Sequence, residues 1–448
     1  MEGAQQMNIA QPVLMILADK ITNRLSYIVD TIFFKQALLV DDKEIFDTFS
    51  GFKIAYTEKQ VSANLWIKPQ GLLHEKGMQQ QVIHYKKWEG LPSFFATDEG
   101  FSFDVLAASF YLITRYEEYD FSIAKDEFGR YMHERSIAYK HNFLHLPLIN
   151  CWLKKMKELQ QLPTHFQLPI FSFTPTYDID IAYSYLHGGI IKNAGGFFKD
   201  FLQGNITAVE DRIAVLGSQK KDPYDIYAWL DLLHESLKLE PIYFFLLAKN
   251  KKGADKNIHP DHPSMQNLLK WHIEKYRVGI HPSLQTNTDK RLLGEEIKKI
   301  ATIKQKPVTY SRQHYIQIQW PTTYRSLIEA GIAADFSMGY TNVHGFRASC
   351  SFPFKWYDLE ADAATELVIH PFCYMDSASI FHLGYDAKEA ASIMQQYIDT
   401  VKLYGGNCIM IHHNNLLTEQ PAFLPWKLAF ADFLISNFTG EVAHSVLT

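Results

Sequence analysis

The chain has 448 residues, 47% of them hydrophobic and 21% charged, and a formal net charge of −5. This is the composition of an ordinary globular protein, with enough apolar residues to bury a sizeable core, and it excludes extended disorder. No long basic block is present, which argues against a nucleic-acid partner, and a chain of this length is expected to hold two domains or one large and one small.

Residues 1–165 read as mixed α/β. Apolar residues at helical spacing predict a helix over 103–116, followed by the cluster Glu117-Glu118-Tyr119-Asp120. A second helix is predicted over 147–159, with proline tolerated in its first turn. The segment 160–167 carries Pro163 and precedes a change of pattern, so the boundary between a domain at 1–165 and one at 166–448 is expected there. Beyond it, short apolar runs alternate with helical stretches. Strands are predicted over 168–177, 241–248, 277–281, 309–312, 368–370 and 408–412, and helices over 225–239, 265–276, 292–303, 322–330 and 387–404. Such alternation predicts a parallel sheet or an α/β barrel. Pro175 cannot donate to a ladder, so regular pairing of the first of these strands is expected to end before it.

The four cysteines, Cys151, Cys350, Cys373 and Cys408, form no CxxC pair and suggest reduced thiols. The start of the chain lacks a basic region, and its apolar stretch over 12–18 stops at Asp19-Lys20, a poor secretory signal. The run over 241–248 is far too short to span a membrane. A cytoplasmic protein without a membrane span is therefore expected.

Several predicted strands end in polar residues able to do chemistry. In Thr176-Tyr177-Asp178-Ile179-Asp180, alternate side chains of extended chain share a face, so Asp178 and Asp180 point together. Two close carboxylates need a cation or a shared proton to coexist. Alone, the pair reads more readily as a solvated turn. His281 follows an apolar strand and precedes Pro282, and imidazole is the commonest protein metal ligand, although a lone histidine is more often structural. Ile409-Met410-Ile411-His412-His413 delivers histidine in the same way, and only one of the two can point into a barrel. Ser311-Arg312-Gln313-His314 and Val368-Ile369-His370 repeat the theme. This recurrence at five strand ends argues for one shared polar mouth, where α/β barrels build their sites. No P-loop, GxGxxG, HExxH or GxSxG motif is present.

These residues, in this order, resemble the polysaccharide deacetylase (NodB-homology, carbohydrate esterase family 4) superfamily over roughly residues 168–420. The Asp pair at 176–180, the apolar strand at 241–246, the His-ending strand at 279–283, Arg312 with Pro321, the Ala-Gly-Ile-Ala-Ala-Asp-Phe-Ser stretch at 330–337 and the final strand at 409–413 carry the likeness. The part before residue 166 looks like the uncharacterised domain that precedes such barrels in some bacterial proteins. The resemblance implies a distorted (β/α) barrel of the NodB-homology type, preceded by a smaller mixed α/β domain. It implies Asp178 as general base, Asp180 and His281 as ligands of a divalent metal, Zn²⁺ being expected, Arg312 as the residue that holds the base, and His413 as general acid. Asp335, Tyr340 and Trp320 are assigned to substrate, although Tyr340, Trp320 and Trp356, which could stack on sugar rings, read more readily as packing residues.

The sequence departs from the family at Gln285, where a second ligand histidine is expected four residues after the first. Two ligands fall short of the three usual for catalytic zinc. His314, His344 and His262 are the candidates for the third. The leading expectation is a metal-dependent hydrolase that removes acetyl from an N-acetylated sugar or glycan. Gln285 supports an alternative, a degenerate barrel that binds carbohydrate without hydrolysing it. A further alternative is a C–N hydrolase acting on a small non-sugar amide.

Overall fold

The computed structural model describes residues 12–439 except 121 and 203, and the chain builds two main sheets in it. The first holds β1 (Leu14–Ala18), β2 (Ala37–Val40), β3 (Phe52–Tyr56) and β4 (Leu65–Ile67), all parallel, in the order β2-β1-β3-β4. All five residues of β1 are buried, as expected of a parallel strand covered on both faces. A hairpin of β5 (Lys86–Trp88) and β6 (Leu91–Ser93) follows. The helix predicted over 103–116 runs over Val105–Ile113. It starts where Asp104 accepts a hydrogen bond from the Ala107 amide at 2.9 Å, and every one of its residues is buried. A helix hydrophobic all round belongs inside a core. The helix predicted over 147–159 is Leu148–Glu158.

The second sheet has nine strands: β7 (Ser172–Ile179), β8 (Ile242–Leu246), β9 (Arg277–His281), β10 (Tyr310–Ser311), β11 (Ala334–Met338), β12 (Phe354–Asp358), β13 (Ala363–Pro371), β14 (Tyr374–Met375) and β15 (Asn407–His413). Their order is β12-β13-β11-β10-β9-β8-β7-β15-β14, and every pair is parallel except β12 with β13. The sheet curls into a half barrel. Closure, which the sequence led us to expect, is not seen among the described residues: β12 and β14 each have one neighbour. Residues 354–371 form a hairpin at one end, and β14, only two residues long, stands at the other.

Pairing of β7 does not stop before Pro175. That residue lies opposite Met410 of β15, and the ladder continues to Asp178 opposite His413. On the other side β8 first pairs at Thr176, so the missing Pro175 N–H falls where β7 has no second neighbour.

The two sheets share one apolar core, which runs from Leu14 and Ile28 through Phe110 and Trp152 to Trp356 and Leu434. Buried polar contacts cross between the parts as well. The Tyr27 hydroxyl donates to the Lys355 carbonyl at 2.6 Å, and the Asn150 amide donates to the Gly405 carbonyl at 2.9 Å. The Glu118 carboxylate, fully buried, accepts from Arg115 at 2.8 Å, from the Arg347 Nε at 2.9 Å and from the Trp320 indole at 2.9 Å. All four cysteines are free and buried. Among the described residues no helix is long and apolar enough to cross a membrane.

Candidate active site

Because β7 to β11 and β15 run parallel, their carboxyl ends lie at one mouth, and that mouth opens as a cleft of about 460 Å³. β7 delivers Asp178, and Asp180 follows just beyond it. β9 ends in His281. Gly279, two residues earlier, has no room for a side chain: a Cβ would stand 2.7 Å from the Phe244 ring and 2.8 Å from the Tyr310 carbonyl. His314 sits in the loop after β10. The next two residues of that loop, Tyr315 and Ile316, hold positive φ of 58° and 51°. For a β-branched residue this is a strained conformation, of the kind that collects at functional sites. β15 ends in His413.

Asp180, His281 and His314 converge, with their ligand atoms all within 4.8 Å of one another. His281 Nε2 stands 3.2 Å from Asp180 Oδ1, and His314 Nε2 stands 3.6 Å from Asp180 Oδ2. Each imidazole is oriented from behind. His281 Nδ1 bonds to the Arg312 carbonyl at 2.5 Å, and His314 Nδ1 to Asp255 Oδ1 at 2.9 Å. Both rings therefore turn Nε2 toward Asp180, as metal-binding histidines do when their other ring nitrogen is held by a carbonyl or carboxylate.

Three observations fit this group to a divalent cation. The Asp180 Oδ1 is buried without a hydrogen-bond partner. Four carboxylates, Asp178, Asp180, Asp255 and Asp376, crowd the site; Arg312 pairs with Asp178, and Arg130 on the cleft wall pairs with Asp126 instead. The donor set of one carboxylate and two imidazoles suits Zn²⁺ and leaves a coordination position for water or substrate.

The remaining groups flank this triad. Arg312, fully buried over the Phe244 ring, donates from Nη1 to Asp178 Oδ1 at 2.8 Å. Asp178 Oδ2 faces His281 Nε2 at 3.8 Å. Across the cleft, His413 Nδ1 bonds to Asp376 Oδ1 at 2.6 Å, and the His413 amide donates to Asp376 Oδ2 at 2.7 Å. His413 Nε2 looks back at Asp180 Oδ2 from 3.8 Å. Burial alone would lower the His413 pKa, but Asp376 and then the cleft carboxylates Asp180 and Asp178 push it up to about 10. For His314, burial is likewise outweighed by Asp180 and Asp255, which push it up to about 9. Burial works to raise Asp180, and the neighbouring His314 and His281 overcome it to hold the carboxyl well below its usual range. His412 turns away, buried against the Phe430 ring at 4.1 Å.

Of the residues singled out in the sequence, Asp178, Asp180, His281, Arg312 and His413 come together here. His314, one of the three candidates for a third ligand, stands beside Asp180 and His281. His344 is bonded to Ser379 Oγ, and His262 accepts at its Nδ1 from the Ser264 amide at the start of a helix. Gln285 does not reach the triad. Its amide donates to Asp255 Oδ2 at 3.1 Å and to the Asn250 carbonyl at 2.8 Å, so it steadies the residue that orients His314.

The substrate assignments are corrected. Asp335 is fully buried and accepts from Ser311 and Ser337 hydroxyls at 2.8 and 2.9 Å; Tyr340 accepts from Arg115 at 3.3 Å; Trp320 donates to Glu118. None of the three lines the cleft. Trp356 is buried against Tyr324. His370, the fifth strand-end residue, stacks on Phe336 at 4.4 Å, away from the mouth. Sequence reasoning missed Asp255 and Asp376. Asp376 directly follows β14, and that position was the available signal; Asp255 lies well along the loop after β8, where the sequence offered none.

Residues 14–163 match a family of unknown function (DUF7033). No curated protein is similar in sequence to the chain. Among solved structures, a candidate polysaccharide deacetylase from Mycobacterium smegmatis aligns with 61% of this chain and 86% of its own, at 11% identity and a TM-score of 0.39. A polysaccharide deacetylase from Bacillus cereus aligns with 62% of this chain and 94% of its own, at 11% identity and a TM-score of 0.28.

Proposed function

We propose that this protein is a divalent-metal hydrolase that cleaves the acetamide C–N bond of an N-acetylated sugar or glycan. The observation that carries the reading is the convergence of Asp180, His281 and His314, with Asp178 braced by Arg312 on one side and His413 braced by Asp376 on the other. Asp180, His281 and His314 would hold the cation. When bound, such a cation polarises a carbonyl and acidifies a water.

The chain's own residues do the rest. Arg312 occupies one oxygen of Asp178 and leaves Oδ2 toward the cleft, where it accepts the proton of the attacking water. His413, kept as imidazolium by Asp376, donates from Nε2 to the departing nitrogen, so acetate and a free amine leave. The Phe128, Tyr315 and Phe381 side chains give the cleft wall an apolar surface for a sugar face.

The test is elemental analysis of protein purified without chelator, followed by acetate release from N-acetylglucosamine oligomers. About one divalent ion per chain is expected, lost in Asp180→Ala, His281→Ala and His314→Ala. A protein that takes up no ion from Zn²⁺, Co²⁺ or Ni²⁺ solutions refutes the proposal.

A further inference from the structure

We propose that the N-terminal part carries a second sugar-binding pocket, which takes a distal residue of the glycan whose acetamide lies in the cleft, a ligand class that rests on the hydrolase reading above. A cavity of about 540 Å³ lies between Gln79, Tyr111, Tyr116, Tyr131 and Arg135, outside the catalytic cleft. Its wall is built rather than incidental. The Tyr111 and Tyr116 rings stack at 5.6 Å, and the Tyr116 hydroxyl accepts from the Gln79 amide at 2.8 Å. The Glu117 carboxylate in the wall is held by Arg115 at 2.7 Å and by the Ile137 amide at 2.8 Å.

The chemistry of this wall suits a neutral polyol. Glu117 and Asp120 are matched in number by Arg135 and Lys140, so the lining sets up no strong field for an ion of either sign. Tyrosine, glutamine and serine side chains offer both donors and acceptors, as the hydroxyls of a sugar require. The tyrosine rings add apolar surface for its C–H face.

The cavity and the active site border one smaller recess. Arg130, Ile316 and Thr341 line both the catalytic cleft and a smaller recess of about 60 Å³. Tyr131 lines both that recess and the second cavity. Its phenol oxygen is buried with no hydrogen-bond partner in the protein. A glycan with one sugar in the cleft and others running past Arg130 and Tyr131 reaches the cavity.

Isothermal titration of the full zinc-loaded chain tests this, with the Asp178→Asn substitution present throughout to prevent turnover. The ligands are β-1,4-linked N-acetylglucosamine dimer and hexamer. The hexamer is expected to bind at least about tenfold more tightly than the dimer. Gln80→Trp fills the cavity from its exposed rim, and Arg135→Ala removes a rim donor; each is expected to weaken the hexamer at least about tenfold with zinc content unchanged. A hexamer that fails to bind, binds no more tightly than the dimer, or binds both variants like their parent overturns the pocket. Acetate release by the unsubstituted chain reports on the hydrolase reading separately. Hydrolysis without length dependence removes the pocket alone, and length dependence lost in Gln80→Trp upholds the pocket even where no acetate appears.

Discussion

If Asp180, His281 and His314 hold a cation as proposed, its affinity depends on Asp255, which orients His314. Its carboxylate is fully buried and accepts three hydrogen bonds: from His314 Nδ1 at 2.9 Å, from the Leu284 amide at 3.1 Å and from Gln285 Nε2 at 3.1 Å. The first of these fixes the ring so that Nε2 faces Asp180. Second-shell partners of this kind are worth about 10–100-fold in metal affinity, or about 1.4–2.7 kcal/mol. Asp255→Asn keeps the volume and an oxygen that still accepts from His314, but removes the charge, so a loss near the tenfold end is expected. Asp255→Ala removes the acceptor altogether, and a loss near 100-fold is expected. The alanine also strands the Leu284 amide and the Gln285 side chain, so stability should fall by about 1–3 kcal/mol for each donor left unpaired. Zinc affinity is read by competition with a chromogenic chelator at fixed pH, with urea unfolding run in parallel. If Asp255→Ala remains folded and holds zinc with parental affinity, His314 is not positioned as described and the ligand triad fails.

Asp376→Asn should cut kcat by about 10²–10⁴-fold in an acetate-release assay with zinc content preserved, because His413 loses the anion that keeps it protonated. Glu118→Ala leaves Arg347 buried without an ion-pair partner and Arg115 with Glu117 alone, so urea unfolding should show a loss of about 3–5 kcal/mol. Burial pushes the Asp104 carboxyl from 3.8 up to about 6, against the hydrogen bonds it accepts. A carboxyl raised on folding contributes stability that is complete below its unfolded value and is lost as pH rises through the folded one. Unfolding free energy should therefore decline by about 2 kcal/mol between pH 4 and 6 on this account, and Asp104→Asn should flatten that slope.

Much of the site was legible because parallel strands place their carboxyl ends together, and the apolar runs before Asp178, His281 and His413 announce such strands. β8, with sequence IYFFL, and β15, with sequence NCIMIHH, read as buried strands from composition alone. What periodicity does not carry is the path of loops. His314 was one of three histidines able to complete the triad. Its selection over His262 and His344 depends on the loop after β10, where Tyr315 and Ile316 take backbone angles that no apolar pattern encodes. Asp255 and Asp376 were missed for the same reason. The errors at Asp335, Tyr340 and Trp320 have another origin. Alternation tells which face a polar side chain takes, but not whether that face meets solvent or a packed polar network. Asp335 meets Ser311 and Ser337, and Trp320 meets Glu118.

The same loop that presents His314 also ties the two parts of the chain together. The Arg130 guanidinium donates to the Tyr315 carbonyl at 3.0 Å, the Gln317 side chain donates to the Phe128 carbonyl, and the Phe128 and Tyr315 rings meet at 4.9 Å. The partner segment is itself a closed turn, in which Asp126 accepts from the Phe128 and Arg130 amides at 2.9 and 2.8 Å. A strained loop needs surroundings that over-determine it. Here part of that support comes from residues 126–130, which belong to the first third of the chain and also wall the cleft. The N-terminal part is thus a structural contributor to the loop that presents His314, and the strain at Tyr315 and Ile316 is borne across the junction between the two sheets rather than within the half barrel alone.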